Sequence, residues 1–384
     1  MRKIVLFGLK YDTNIGDYLI GFNLQKQIEK MCGSEVKYED LRGRTGAEVQ
    51  VYSFIVKCFI KLSVVTTHSV LGPFFERIAF HLNNPKLRKR FEEMLCDTDT
   101  VIFAGGGIIE CEHYGCHNYI KLITEICEHN RIDIIYNAVG FNGDFNEKIG
   151  GYRTLKKCIN SRCVKGISVR ENIEEMRKYT NKDVTLVCDP ACYSSDTYNM
   201  YSKRESENMY VGIGLIRPDI FREFGYDLSD DDVLTLYTGI ISKLQKTGYQ
   251  IQLFTNGVEA DACFGRKINE SLRTKMDIIV PKNDEDFIKI IAHFRAILAA
   301  RMHACIVSYS LNIPSINLCW NSKLIHFYNN IGYDDRCVTP DNFNPDLVVN
   351  KLISIIDKDC QNERRDSYLK SLNDFLSMNL DYLT

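Results

Sequence analysis

The run Ala299-Ala300-Arg301-Met302-His303-Ala304-Cys305-Ile306-Val307 sets an arginine and a histidine two residues apart, where an apolar stretch gives way to a short helix-like segment. The preceding Arg295 to Leu298 reads as the end of a buried strand, and Ile313-Pro314 cannot continue a helix. Arg301 and His303 are therefore expected in the first turn of a helix entered straight from a strand. Free backbone N–H groups and the positive end of the helix dipole gather there, which favours an anion. A guanidinium fork in that turn suits a carboxylate or phosphate gripped at two points. The competing reading is an arginine capping a neighbouring carboxylate beside a packed histidine, and this window alone leaves both open.

Other candidates also follow strands. Lys3 to Phe7 reads as a buried strand, then a loop carries Asn14, Gly16 and Asp17 into an amphipathic helix from about Tyr18 to Met31. Those three residues either cap the helix or face a ligand. The loop is not G-x-G-x-x-G and lacks a P-loop lysine, so neither nucleotide fingerprint is met. Thr100 to Ala104 runs into Gly105-Gly106-Gly107, read as a loop whose backbone must approach a ligand closely. Ile132 to Ala138 is a strand ending in a polar glycine loop, Val139 to Asp144. Gly166 to Val169 is a short strand before Arg170-Glu171, with Glu171 at a helix start, and Val184 to Val187 leads into Cys188-Asp189-Pro190. Cys111, His113, Cys116 and His117 crowd into seven residues, but their spacing fits neither a zinc finger nor a zinc ribbon, so no metal is expected.

The elements that position these residues form two series. With 384 residues, two domains are the natural expectation. The five strands of the first half alternate with helices and define a parallel, doubly wound domain over residues 1–195. Ser194 to Asn208 is polar and unperiodic, the expected linker. A second series covers 209–335: Met209 to Ile213 opens on Arg217, Tyr249 to Phe254 ends at Thr255-Asn256-Gly257, and Ile316 to Cys319 follows the Arg301 segment. Helices are expected at Asp231 to Thr247 and Asp284 to Phe294, and the tail 340–384 is helical and able to cross back onto the first domain. Two Rossmann-like α/β domains with strand-end loops facing across a cleft make a GT-B-like layout.

An insertion at about 48–95 interrupts the first domain. Within it, Val51 to Leu62 is strongly apolar with lysines at intervals, too short to span a bilayer. It reads as a core helix beside a lid; a membrane-surface helix is the alternative. Asn83 to Glu93, with four basic residues, reads as a solvated helix face. The formal net charge of -2 gives no general pull towards nucleic acid. The fifteen cysteines are irregularly spaced, and Met1-Arg2-Lys3 leads straight into a strand, so buried thiols in reducing cytosol are expected.

In this order and spacing, Asn14-Ile15-Gly16-Asp17, Ala104-Gly105-Gly106-Gly107, Ser168-Val169-Arg170-Glu171, Asp189-Pro190, Gly212-Ile213-Gly214 and Arg301-Met302-His303-Ala304 resemble the polysaccharide pyruvyl transferase family. The resemblance covers nearly the whole chain, outside 45–95 and the tail beyond about 340. Glu171 stands where that family commonly has aspartate, and Ala300 where serine often precedes the Arg-x-His. The resemblance implies transfer of a pyruvyl group from phosphoenolpyruvate, a co-substrate rather than a cofactor, to two hydroxyls of a sugar as a cyclic ketal. Arg301, then Arg217, would clamp the donor anion, and His303 would protonate the vinyl carbon. A helix N-terminus disfavours imidazolium, whereas a bound phosphate favours it. Asp17 or Asp189 would serve the hydroxyl as base or acceptor, Gly105 to Gly107 would hold the acceptor, and Asn14, Gly16 and Asn256 complete the binding residues. The acceptor would be a surface-polysaccharide or cell-wall precursor, lipid-linked or not, met in the cytoplasm at the inner face of the membrane, and a homo-oligomer is compatible with this. The rivals are a GT-B glycosyltransferase using a nucleotide sugar and a non-catalytic sugar-binding module.

Overall fold

The computed structural model describes residues 2–33, 35–46, 53–66, 71–111, 115–143, 145, 147, 149–201, 210–356, 358 and 362–380. The chain divides into two compact units. The first comprises Met1–Asp12, Ile20–Pro190 and Lys370–Thr384; the second comprises Thr13–Leu19 and Ala191–Leu369. The Asn14-to-Asp17 stretch thus counts with the second unit. So does the helix Pro345–Ile355, expected with the returning tail: its Asp346 pairs with Lys243 at 2.5 Å. The last helix, Arg364–Asn379, counts with the first unit from Lys370 onward, where Ser371 Oγ accepts from the Cys188 N–H at 3.0 Å.

Each unit is built on a six-stranded, wholly parallel sheet. In the first, β1 (Ile4–Gly8), β2 (Val36–Asp40), β3 (Thr100–Glu110), β4 (Asp133–Asn142), β5 (Val164–Val169) and β6 (Thr185–Leu186) lie in the order β2-β1-β3-β4-β5-β6. In the second, β7 (Tyr210–Gly214), β8 (Gln250–Phe254), β9 (Ile278–Ile279), β10 (Ala296–Ala299), β11 (Ser315–Leu318) and β12 (Cys337–Val338) lie in the order β12-β11-β10-β7-β8-β9. Parallel strands need helices on both faces, so their sequences are continuously apolar, as in Ile4-Val5-Leu6-Phe7 and Ala296-Ile297-Leu298-Ala299. In both orders the chain reverses direction at one point, between β1 and β3 and between β7 and β10. Ligands of open α/β sheets bind outside the carboxyl ends of the strands at such a point.

Several expectations are corrected. β2, β9 and β12 are strands beyond those expected. The three glycines lie inside β3, not in a loop after it: the register with β4 shifts between Gly106 and Ile109, and Gly106 takes φ +74°. The run is a bulge, which left-handed glycine permits. The first helix begins at Ile15, three residues early, and so includes Gly16 and Asp17. Asn83 to Glu93 is no single helix face; Leu71–Asn83 ends there and a separate helix, Leu87–Met94, follows. Glu171 precedes its helix, which Asn172 caps. The expected linker opens as the helix Ser194–Tyr198, and its residues 202–208 lie outside the described residues. The apolar helix runs Phe54–Val65 and is not core, since only Val56 and Ser63 are buried; Val51 and Tyr52 lie outside the described residues.

Candidate functional site

The second unit's reversal point carries the charged cluster. Gly214 closes β7 opposite Ala299 on β10; a Cβ at Gly214 would come within 2.8 Å of the Ala299 Cβ, so the two strand ends can pack this closely only with glycine there. Arg301 follows β10 as the N-cap of the helix Met302–Ser310, with extended backbone and no side-chain cap bond. Its guanidinium turns instead to Asp261. Nε donates to Oδ2 and Nη2 to Oδ1, both at 2.9 Å. Asp261 is fully buried in the first turn of the helix Glu259–Leu272, and its Oδ1 also accepts the backbone N–H of Arg217 at 2.9 Å. One carboxylate therefore fixes both arginine-bearing segments. Burial, then the neighbouring Asp261 charge, pushes the Tyr237 phenol up, and that phenol donates to the Gly214 carbonyl at 3.2 Å.

The arginine-to-carboxylate reading is thus realised at the Nε–Nη2 edge of Arg301. No partner holds Nη1 among the described residues, and the side chain keeps 16% exposure. The remaining Nη1–Nη2 edge can grip a second oxyanion. The Arg217 side chain is turned to Asp219 and Glu223, and Glu223 is held below the usual carboxylate range by that hydrogen bond.

His303 lies in the first turn of the same helix, nearly buried. Its ring rests against Gly16, where an added Cβ would fall 2.1 Å from Nδ1 and 2.2 Å from Cγ. Asn14 and Asp17 are turned to capping: Asn14 Oδ1 accepts from the Gly16 N–H at 3.3 Å and its Nδ2 donates to Asp17 Oδ2 at 3.1 Å. The Asn256 carbonyl accepts from the Ile15 N–H at 3.4 Å, while its buried Nδ2 has no hydrogen-bond partner among the described residues. The second unit therefore collects Asn14, Gly16, Asp17, Arg217, Asn256, Arg301 and His303.

The remaining candidates belong to the first unit. Gly105 fits only as glycine, since a Cβ would meet Ile20 at 2.5 Å and the Ala138 carbonyl at 3.1 Å. Beside this bulge, Ala138 sits at φ +50°, and both side-chain atoms of buried Asn137 lack partners among the described residues. Asp189 does not face an open crevice. It is buried against Arg170 at 2.5 Å, and Glu171 Oε1 takes the Arg170 Nε at 3.2 Å. Charges removed from water persist only when paired, and this triad is closed. Glu171 also braces the neighbouring strand end, where its Oε2 accepts the Phe141 N–H at 3.3 Å. In the cysteine–histidine stretch, Cys111 meets the Tyr179 hydroxyl at 2.8 Å and His117 meets Glu76 at 2.9 Å; His113 lies outside the described residues. The described cysteines are free thiols.

Sequence reasoning missed Asp261. It stands 40 residues before Arg301, and an acid in a first helical turn ordinarily complements the dipole, so nothing local set it apart.

Two doubly wound units of this kind define a GT-B-like α/β fold, and solved structures bear it out. The UDP-GlcNAc 2-epimerase of Methanocaldococcus jannaschii, in complex with UDP-GlcNAc and UDP, superposes with a TM-score of 0.55 at 13% identity over 100% of both chains. That of Neisseria meningitidis, bound to UDP-GlcNAc, gives 0.54 at 10% identity, over 99% of this chain and 100% of the other. MnaA of S. aureus with UDP gives 0.51 at 10% identity, over 100% and 97%. No curated protein matches in sequence. The family model of polysaccharide pyruvyl transferase matches residues 14–322, and the chain belongs to that family.

Proposed function

We propose that the chain transfers the pyruvyl group of phosphoenolpyruvate to two hydroxyls of a sugar, forming a ketal and releasing phosphate. The observation that carries this reading is the Asp261-held Arg301, one guanidinium edge left open, two residues from a histidine pinned at the same helix start. The open edge suits the donor's carboxylate or phosphate, with Arg217 as a second cation once it leaves its exposed carboxylates. His303 delivers a proton to the vinyl carbon, and one sugar hydroxyl adds to the adjacent carbon, its proton passing to Asp17. The second hydroxyl then displaces phosphate at that carbon, and its proton leaves with the phosphate. One donor and one diol become one ketal and one phosphate. The carboxamide of Asn256 is available to the donor, and the glycine bulge at Gly105 to Gly107 is assigned to the acceptor. No step calls for a metal, and the donor would be met in the cytoplasm.

Neighbours solved with UDP make a nucleotide sugar the rival donor. Calorimetric titration of wild type and Arg301→Ala with phosphoenolpyruvate and with a UDP-sugar separates the two. Phosphoenolpyruvate is expected to bind wild type and to weaken on the order of 10- to 100-fold in the variant, the size of a lost charged hydrogen-bond pair. UDP-sugar binding without any response to phosphoenolpyruvate would turn the reading to glycosyl transfer.

A further inference from the structure

We infer that the helices Phe54–Val65 and Leu71–Asn83 form a docking surface for an anionic lipid bilayer. Of the large apolar side chains exposed among the described residues, more than half lie on these two helices. The outer helix bears Phe54 at 81% exposure, Ile55, Leu62, Val64 and Val65; the inner one adds Leu71, Phe74 and Leu82. Isolated exposed apolar residues need no explanation, but a contiguous set on one layer marks an interaction surface. The two helices hold each other through Phe59 and Phe75, ring centroids 6.1 Å apart, and Pro73 of the inner one sits where a Cβ on Gly150 would touch it at 2.4 Å. Among the described residues, the apolar side chains on the outer face of the layer are exposed.

Its geometry and charge select the partner. At about 100° per residue, Phe54, Val65, Leu62 and Ile55 fall within an arc of about 100° on the helix, with Lys57 and Lys61 along one border and Val64 just beyond them. Both lysines are exposed, and neither has a carboxylate partner among the described residues. Residues 54–86 hold four lysines and arginines against one acid, Glu76, which is buried against His117, although the whole chain carries -2. An apolar stripe bordered by uncompensated lysines fits a membrane surface, where rings enter the acyl boundary and ammonium groups reach the anionic headgroups. The 12-residue outer helix is only about 18 Å long, too short to cross. Among the described residues no helix is long and apolar enough to span a membrane.

The test is flotation of the full chain with vesicles of phosphatidylcholine, with and without phosphatidylglycerol. Wild type is expected to float with the anionic vesicles, and less at high salt. Phe54→Ser/Ile55→Ser should lower binding about tenfold through lost apolar burial, and Lys57→Gln/Lys61→Gln should abolish the preference for phosphatidylglycerol. Both pairs are exposed, so melting temperatures should match wild type; if the serine pair misfolds, the glutamine pair decides. Failure of wild type to bind anionic vesicles, or equal binding by the variants, overturns the inference. So does a wild-type dimer that the serine pair makes monomeric without vesicle binding, since a second copy then covers the face. None of these outcomes depends on the donor.

Discussion

Arg170 in the first unit and Arg301 in the second both follow a parallel strand, and both meet a buried aspartate. Arg170 is 4% exposed and meets two carboxylates, Glu171 and Asp189. Arg301 is 16% exposed and spends one edge of its guanidinium on Asp261. Both pairs cost desolvation, and neither is by itself evidence of stability or of function. What separates them is the remainder: one guanidinium is enclosed by acid, the other is oriented by acid and left with donors to offer. The same residue types just after a parallel strand, β5 next to the edge of one sheet and β10 at the reversal point of the other, thus give a guanidinium closed in by acid, a strut, and one with an edge left open.

The largest effect should come from breaking the strut. Arg170→Met leaves Glu171 and Asp189 buried without their cation, and removing one partner of a buried pair costs about 3–5 kcal/mol. Denaturant unfolding should show that loss, while phosphoenolpyruvate affinity, measured on the folded fraction, stays at the wild-type value. If stability held and donor affinity collapsed, the two arginines would have exchanged roles.

How far this contrast could be read beforehand differs by residue. The strand-to-helix switch at Arg301 was legible because Ala296 to Ala299 is continuously apolar and Pro314 closes the helix region. β2, Val-Lys-Tyr-Glu-Asp, was not, because as an edge strand it buries alternate residues and carries charge between them. β9 and β12 are two residues each and leave no pattern. The glycine run announced missing side chains, but a bulge inside β3 and a loop after it look alike in sequence. Phe54–Val65 shows the reverse failure: its composition reads as core, yet composition cannot say whether a partner exists to bury it. The fate of Asp189 depended on Arg170, 19 residues away, a separation that only the fold closes.

A smaller effect should follow from loosening the poised arginine without removing it. Asp261→Asn keeps the shape but replaces an acceptor with an amide N–H facing Arg301, so the fork loses its orientation. Phosphoenolpyruvate affinity should fall about tenfold, near the lower end for charged hydrogen bonds. Because the same carboxylate anchors the Arg217 backbone, the melting temperature should fall too, though less than in Arg170→Met. Unchanged affinity would mean that Arg301 is a strut like Arg170, and the contrast would fail.

Arg217 is the intermediate case, and the smallest effect belongs to it. Its side chain meets Asp219 at 2.6 Å and also Glu223, with both carboxylates half exposed. Such solvent-screened pairs are worth at most about 1 kcal/mol. An incoming dianion can therefore replace them cheaply, which the closed triad around Arg170 does not allow. Glu223→Gln should leave the melting temperature unchanged. By removing a competitor for the guanidinium, it should tighten phosphoenolpyruvate by no more than about fivefold, the factor matching that energy. Calorimetry at low and high salt checks this, since the gain should shrink as salt screens the competing carboxylate. Weaker binding instead would mean that Glu223 positions Arg217 for the donor as Asp261 positions Arg301, making the second unit's site a pair of oriented arginines rather than one.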